Sequence, residues 1–131
     1  MNREILFKAK RKDNGEWVEG GYFSEPYTDK KYIVRWNSFG LGFNEFIEVV
    51  PDTLCQYAGL TDKNGQKIWE NDILKYDKFV GYVIFKKCQY IIKWINNEHL
   101  RDDFYFWAAH RHSLIGCAGN IFDNPELLEV E

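Results

Sequence analysis

The chain has 131 residues, and its 17 Lys and Arg against 20 Asp and Glu leave a formal net charge of -3. This length predicts one domain, or one small domain with an appendage, and the charge excludes a protein that holds polyanions by bulk positive charge. No apolar run approaches the roughly 20 residues that a membrane-spanning helix needs. The charged start lacks the apolar core of a signal peptide. Three widely spaced cysteines without a C-x-x-C pair predict reduced thiols in a cytoplasmic protein.

The first predicted element is a hairpin over residues 4–11 and 16–23. Apolar and polar residues alternate in both stretches, which is the period of a half-buried strand. Asn14-Gly15 lies between them, and this pair favours a tight turn because both residues tolerate positive φ. Weaker patterns predict strands at 32–36 and 46–50. We therefore expect an N-terminal β subdomain over residues 1–50, which serves self-association, and a separate domain over residues 51–131.

The block from Leu54 to Tyr76 has the most distinctive order: strand, turn, strand, tight bend and strand. Asn64-Gly65 repeats the chemistry of the first hairpin turn, and Glu70-Asn71 forms the bend. Further strands are predicted at 80–85, 90–95, 104–108 and 113–121. Gly116 and Gly119 interrupt the last of these strands, which predicts a bulge or a close backbone approach there.

The spacing of these elements indicates the fold class. Many short strands with turn signals between them favour a mainly β fold, and residues 54–95 have the rhythm of a small SH3-like β-barrel. Pro125, just after a capping residue, predicts a short C-terminal helix.

The same strings resemble a known family. The run from Gln56 to Gly65, the run from Ile68 to Ile73 and the closing run from Gly119 to Leu128 are similar to the motifs of the YopX family of phage and prophage proteins. The resemblance is strong over residues 50–85 and 114–128 and weak over residues 24–49. It implies an SH3-like C-terminal barrel and an origin in a bacterial virus or prophage, so that the host cytoplasm is the expected location. It implies no activity, because the function of the family is unknown.

One position departs from the family pattern. Asn71 stands where the family usually has Gly. Asn is the best substitute for Gly at positive φ, so we expect the bend to form.

Few residues suggest catalysis. His110 and His112 on a strand would place both rings on one face, where Asp102 or Asp103 could complete a metal site. We favour a polar rim loop, since no H-E-x-x-H motif supports the metal site. His99 belongs to the same polar cluster.

Asp72 and Asp62 follow or start turns, so their carboxylates are expected to accept backbone N–H bonds rather than act as bases. Cys55 and Cys117 lie in apolar patterns, where Cys is usually a small core residue rather than a nucleophile. We therefore expect no catalytic residue, no metal and no cofactor.

A strip of aromatic and basic residues is the best candidate for a binding surface. Aromatic rings with interleaved lysines can stack bases and contact phosphates, but we favour the reading in which the rings fill a small barrel core and the lysines coat its edge strands. The candidate surface for a partner or nucleic acid contains Tyr82, Lys86, Lys87, Tyr90, Lys93 and Trp94.

These observations support three hypotheses of decreasing strength. The first is a non-catalytic protein-interaction module of a phage or prophage, which binds a protein partner or self-associates and does not bind a membrane. The second is a nucleic-acid-associated accessory protein that uses the aromatic and lysine strip. The third is a metal-dependent enzyme that uses the pair His110 and His112.

Overall fold

The fold is mainly β, in agreement with the sequence. A computed structural model of the protein describes residues 5–36, 44–97 and 99–129. Its strands are β1 (Phe7–Lys10), β2 (Trp17–Ser24), β3 (Lys31–Trp36), β4 (Asn44–Val49), β5 (Cys55–Thr61), β6 (Lys67–Trp69), β7 (Asp72–Tyr76), β8 (Phe79–Lys86), β9 (Gln89–Trp94) and β10 (Gly116–Asn120). None of the helical turns in the described ranges has the length and apolar character that crossing a membrane requires.

Two compact units make up the chain. They comprise Met1–Tyr57 and Ala58–Glu131, so that the boundary falls within β5. The sequence-based division into residues 1–50 and 51–131, with separate roles for the two parts, stays a prediction.

The first unit is an antiparallel sheet in the order β4-β3-β2-β1, and β1 also pairs with the start of β5. The predicted first hairpin is confirmed as β1 and β2, with Ala9 opposite Val18. Its turn is longer than a two-residue Asn-Gly turn. Of Asn14 and Gly15, only Gly15 has a positive φ, 74°. The N–H of Gly15 donates to the carbonyl of Arg11 at 2.9 Å.

The core of the first unit lies on one side of this sheet. Its buried members come from four strands and alternate along them, as the period of two requires: Ala9, Val18, Ile33, Ile47 and Val49. Two backbone hydrogen bonds join the end of β1 to the end of β4. The N–H of Lys12 donates to the carbonyl of Glu48 at 3.0 Å, and the N–H of Val50 donates to the carbonyl of Lys10 at 2.9 Å. The strands therefore wrap around their apolar side, and the other side faces outward.

The second unit contains an antiparallel sheet in the order β10-β7-β8-β9, together with the end of β5 and β6. Asn71 adopts positive φ, at 73°, so the bend before β7 forms as expected. Lys87 and Cys88 form the turn between β8 and β9, with φ of 53° and 63°. The core beneath the sheet includes Ile68, Leu74, Val83, Ile92, Trp94, Phe104, Trp107 and Ile115.

One predicted strand of this unit is wrong. Residues 104–108 do not extend but lead into a short π-helical turn, Phe106–His110. Phe104, Trp107 and Ala108 are all buried, and this spacing of three and four residues is helical rather than alternating. The carbonyl of Asp103 accepts the N–H of Trp107 at 3.3 Å and starts the turn.

The C-terminal predictions are confirmed only in part. The strand β10 is shorter than predicted, but the expected bulge is present as a register shift between Cys117 and Gly119. The chain then forms a single 3-10 turn at Pro125–Leu128, where the sequence predicted a short helix. The strands of this unit belong to two sheets, and their closure into an SH3-like barrel stays a prediction.

Candidate interaction surfaces

The strip predicted on β8 and β9 is divided between the two sides of the hairpin. Side chains alternate along β9, so Tyr90 and Trp94 lie on the same side as Ile92 and pack with the core. Lys87 lies in the turn between the strands. The outward side carries the other three predicted residues, Tyr82, Lys86 and Lys93. The six residues therefore do not form one surface.

Trp94 has a structural role. Only 8% of its surface is exposed, and its ring meets that of Trp107 edge to face, with centroids 5.4 Å apart. The indole N–H groups of both tryptophans donate to the carbonyl of Arg101. These two rings hold the segment that runs beside β9, and little of the Trp94 ring is open to a ligand.

A groove lies beside β9 on the outward side of the hairpin. We call it the β9 groove and define it by six of the residues that line it: Ile84, Lys86, Ile91, Lys93, Leu100 and Asp102. Its volume is about 280 Å³. The segment that contains Asp102 forms one wall of the groove. The carbonyl of Asp102 accepts the N–H of Ile92 at 2.9 Å, which holds this segment beside β9.

The outward side of the first unit carries a cluster of exposed aromatic rings. We call Phe23, Tyr32 and Phe46 the aromatic patch. The centroid of Phe23 lies 6.2 Å from that of Tyr32 and 5.9 Å from that of Phe46, and Tyr32 lies 6.5 Å from Phe46. Phe23 is 42% exposed and Phe46 is 57% exposed. Three strands, β2, β3 and β4, thus bring three rings together where water reaches them.

Charged groups border the aromatic patch. Tyr32 lies opposite Glu48 of the neighbouring strand, and its hydroxyl donates to a carboxylate oxygen of Glu25 at 3.5 Å. On β4, the carboxylate of Glu48 pairs with Lys12 at 3.1 Å. The surface therefore combines an apolar centre with a charged rim, as protein interfaces do.

Sequence reasoning missed the aromatic patch for a specific reason. Its residues are far apart in the chain, and only strand register brings Phe23 opposite Tyr32 and places Phe46 beside them. A signal did exist. Successive side chains of a strand point to opposite faces. Once Ile33 is placed in the core, its neighbour Tyr32 must therefore point outward.

The predicted histidine pair does not lie on a strand. His110 ends the π-helical turn, and its ring meets the ring of Tyr105 edge to face at 5.2 Å. The backbone of His112 belongs to a 3-10 turn, His112–Leu114, and its side chain lies outside the described part of the structure. Within that part, no group of three or more His, Cys, Asp or Glu side chains could hold a metal ion.

Asp62 and Asp72 bind backbone groups, as the sequence predicted. The Oδ1 atom of Asp62 accepts the N–H groups of Asn64 and Gln66, both at 2.9 Å, and closes the hairpin turn before β6. The Oδ2 atom of Asp72 accepts the N–H of Trp69 at 2.8 Å. Both carboxylates are almost fully buried, so they stabilise turns from within the unit.

Cys117 lies between these two carboxylates. Its Sγ atom is 3.7 Å from Oδ2 of Asp72, and its N–H donates to Oδ2 of Asp62 at 2.8 Å. Burial, reinforced by the negative charges of Asp72 and Asp62, raises the pKa of the Cys117 thiol far above its ordinary value. A thiol held neutral in this way is a poor nucleophile. Cys55 is buried, Cys117 is partly buried and Cys88 is exposed.

The fold has a counterpart among solved structures. The crystal structure of protein EF1440 from Enterococcus faecalis is 24% identical in sequence, and the match covers 98% of this chain and 100% of that chain with a TM-score of 0.60. At this identity the likeness concerns the fold alone. A comparison with curated proteins finds no match.

The family follows from a match over nearly the whole chain. A family model described as YopX protein matches residues 6–129. This span contains the distinctive block from Leu54 to Tyr76 as well as both surfaces described above. The chain belongs to the YopX family.

Proposed function

We propose that this protein is a non-catalytic protein-interaction module that contacts its partner through the aromatic patch. The observation that carries the proposal is the exposure of Phe23 and Phe46 on a regular sheet. Contiguous exposed apolar side chains with a polar rim mark interaction surfaces, and aromatic residues dominate the binding energy of protein interfaces. The core of the unit lies on the other side of the same strands and does not include Phe23, Tyr32 or Phe46. Packing of the core therefore does not explain why these rings are present.

The proposal includes a biological setting. The family resemblance supports an accessory protein of a phage or prophage that acts in the host cytoplasm. The partner is a host or phage protein, or a second copy of this chain that packs against the N-terminal strands. The strands around Ile68 and Val83 in the second unit would serve as an SH3-like scaffold.

The two alternatives have less support. Nucleic-acid binding by the strip on β8 and β9 requires exposed rings beside its lysines, yet Tyr90 and Trp94 pack with the core. A metal-dependent enzyme requires a ligand set around His110 and His112. Elemental analysis of the purified protein tests the enzyme hypothesis, because metal bound in stoichiometric amount would support it.

The experiment is quantitative capture from a lysate of the bacterial host with the full chain immobilised. The test variant is Phe23→Ser with Phe46→Ser, which removes two exposed rings. The control is Tyr27→Ser with Leu114→Ser, which removes two other exposed apolar side chains. The proposal predicts a partner that the wild type and the control retain and the test variant loses. Equal retention by all three proteins would refute the role of the aromatic patch.

A further inference from the structure

The β9 groove presents charge and apolar surface in a regular order. On the outward side of the β8–β9 hairpin, Tyr82 faces Lys93, Ile84 faces Ile91, and Lys86 faces Gln89. The isoleucine pair therefore lies midway between the two lysines. Lys86 and Lys93 are four positions apart along the strand direction, which corresponds to about 13 Å at the rise of a β-strand.

The lysines of the β9 groove lack partners among the described residues. Neither the side chain of Lys86 nor that of Lys93 forms an ion pair or hydrogen bond within residues 5–36, 44–97 and 99–129. One carboxylate, Asp102, lines the same groove. Lys87 adds a further positive charge where the groove continues towards the turn. The groove is thus a positively charged site on a protein of net charge -3.

The floor of the groove favours a peptide over a nucleic acid. Ile84, Ile91 and Leu100 are aliphatic and only partly covered. Single-stranded nucleic acids bind chiefly by stacking bases on aromatic rings. Among the described residues that line the groove, only Trp94 is aromatic, and it is 8% exposed with its ring against that of Trp107. An aliphatic side chain between two carboxylates matches the floor and both lysines.

We propose that the β9 groove binds an acidic, extended segment of a partner protein with the pattern Glu-x-Ile-x-Glu. In an extended chain, positions one, three and five point to the same side. The outer carboxylates would then pair with Lys86 and Lys93, and the central aliphatic side chain would cover Ile84 and Ile91. The inference rests on the proposed function in taking a protein as the partner, but it uses no residue of the aromatic patch.

The test measures fluorescence anisotropy of labelled peptides with the full-length protein. The probe is Ser-Glu-Thr-Ile-Thr-Glu-Ser. One comparison peptide has adjacent carboxylates, Ser-Glu-Glu-Thr-Ile-Thr-Ser, and another replaces Ile with Ser. A labelled thymidine dodecamer tests nucleic acid. The protein variants are Lys86→Gln with Lys93→Gln, the charge-matched control Lys75→Gln with Lys78→Gln, and Asp102→Asn.

The proposal predicts a pattern across these measurements. Binding of the probe weakens roughly tenfold with Lys86→Gln and Lys93→Gln, the scale of two exposed ion pairs, and stays unchanged in the control. Asp102→Asn tightens it, and added salt weakens it. Both comparison peptides bind less well than the probe.

Three results would overturn the proposal: equal binding of the probe and the peptide with adjacent carboxylates, equal loss in both lysine variants, or tight binding of the dodecamer that depends on Lys86 and Lys93. None of these results bears on capture through Phe23 and Phe46, so failure of this inference and failure of the proposed function are distinguishable.

Discussion

The carboxylate of Asp62 accepts the backbone N–H of Cys117 at 2.8 Å, although 55 positions separate the two residues. The same carboxylate closes its own hairpin turn through Asn64 and Gln66. The N–H of Lys63 adds a bond to the carbonyl of Ile115 at 3.0 Å. Asp62 thus joins the turn before β6 to β10, in addition to the pairing of β10 with β7.

Replacing Asp62 should destabilise the protein. In Asp62→Asn, an amide N–H₂ must stand where a carboxylate oxygen accepts a backbone N–H, so at least one buried donor loses its partner. We expect a loss of about 2 kcal/mol, since hydrogen bonds to charged groups contribute roughly 1.5–3 kcal/mol. Urea unfolding measures the change. Asp29→Asn, at an exposed turn position, is the control and should leave the midpoint unchanged, and an equally small effect at Asp62 would contradict its role.

The contribution of Asp62 should depend on pH. Burial opposes its ionisation, but the N–H donors of Cys117, Gln66 and Asn64 outweigh burial and lower the pKa of Asp62 below its ordinary value of 3.8. A lowered pKa stabilises the fold fully above the unfolded value and less as pH falls towards the folded value. The difference in unfolding free energy between the wild type and Asp62→Asn should therefore be constant near neutral pH and shrink below about pH 4. A difference that grows on acidification would show the opposite sign.

The bend at Asn71 should tolerate Gly but not Ala. Asn71 has a φ of 73°, its N–H donates to the carbonyl of Val83 at 2.7 Å, and its carbonyl accepts the N–H of Ile121 at 3.1 Å. A residue with a Cβ pays about 1–2 kcal/mol in the left-handed region, from which Gly is exempt. Thermal unfolding should thus show a lower midpoint for Asn71→Ala and little change for Asn71→Gly. Equal midpoints for the two variants would mean that the bend relaxes.

The three cysteines should differ in reactivity. Cys88 is exposed, whereas Cys55 is buried and Cys117 has a raised thiol pKa because of burial and its two carboxylate neighbours. Iodoacetamide at pH 8 should therefore label Cys88 alone in the folded protein, and all three residues after unfolding. Mass spectrometry of peptides gives the extent at each site. Rapid labelling of Cys117 in the folded protein would contradict the burial and electrostatic argument.

Sequence patterns predicted the parts of the fold that depend on local chemistry. The hairpin of β1 and β2, the bend at Asn71 and the bulge in β10 all follow from residues that tolerate unusual backbone angles or alternate in polarity. The strand predicted from Phe104 to Ala108 is wrong because a short apolar run fits a strand and a buried helical turn equally well. The position of the core selects the helical turn there, and local sequence patterns do not contain that position.

The candidate surfaces were harder to predict because they depend on register. Lys93 shares a side of the hairpin with Tyr82 and Lys86 only because Lys86 faces Gln89 across the turn, and a shift of one residue would move Lys93 to the other side. The aromatic patch requires the register of three strands at once. The sequence shows which residues are aromatic or basic, but it does not show which of these side chains lie next to one another.

The most direct test of the central claim is site-specific photo-crosslinking in the bacterial host. Benzoylphenylalanine is incorporated at Phe46, in the aromatic patch, or at Tyr27, which is fully exposed but lies outside it. We predict an adduct with a discrete partner, or with a second copy of the chain, from position 46 and none from position 27. No adduct at position 46, or the same adducts from both positions, would contradict a protein-interaction module that acts through this surface.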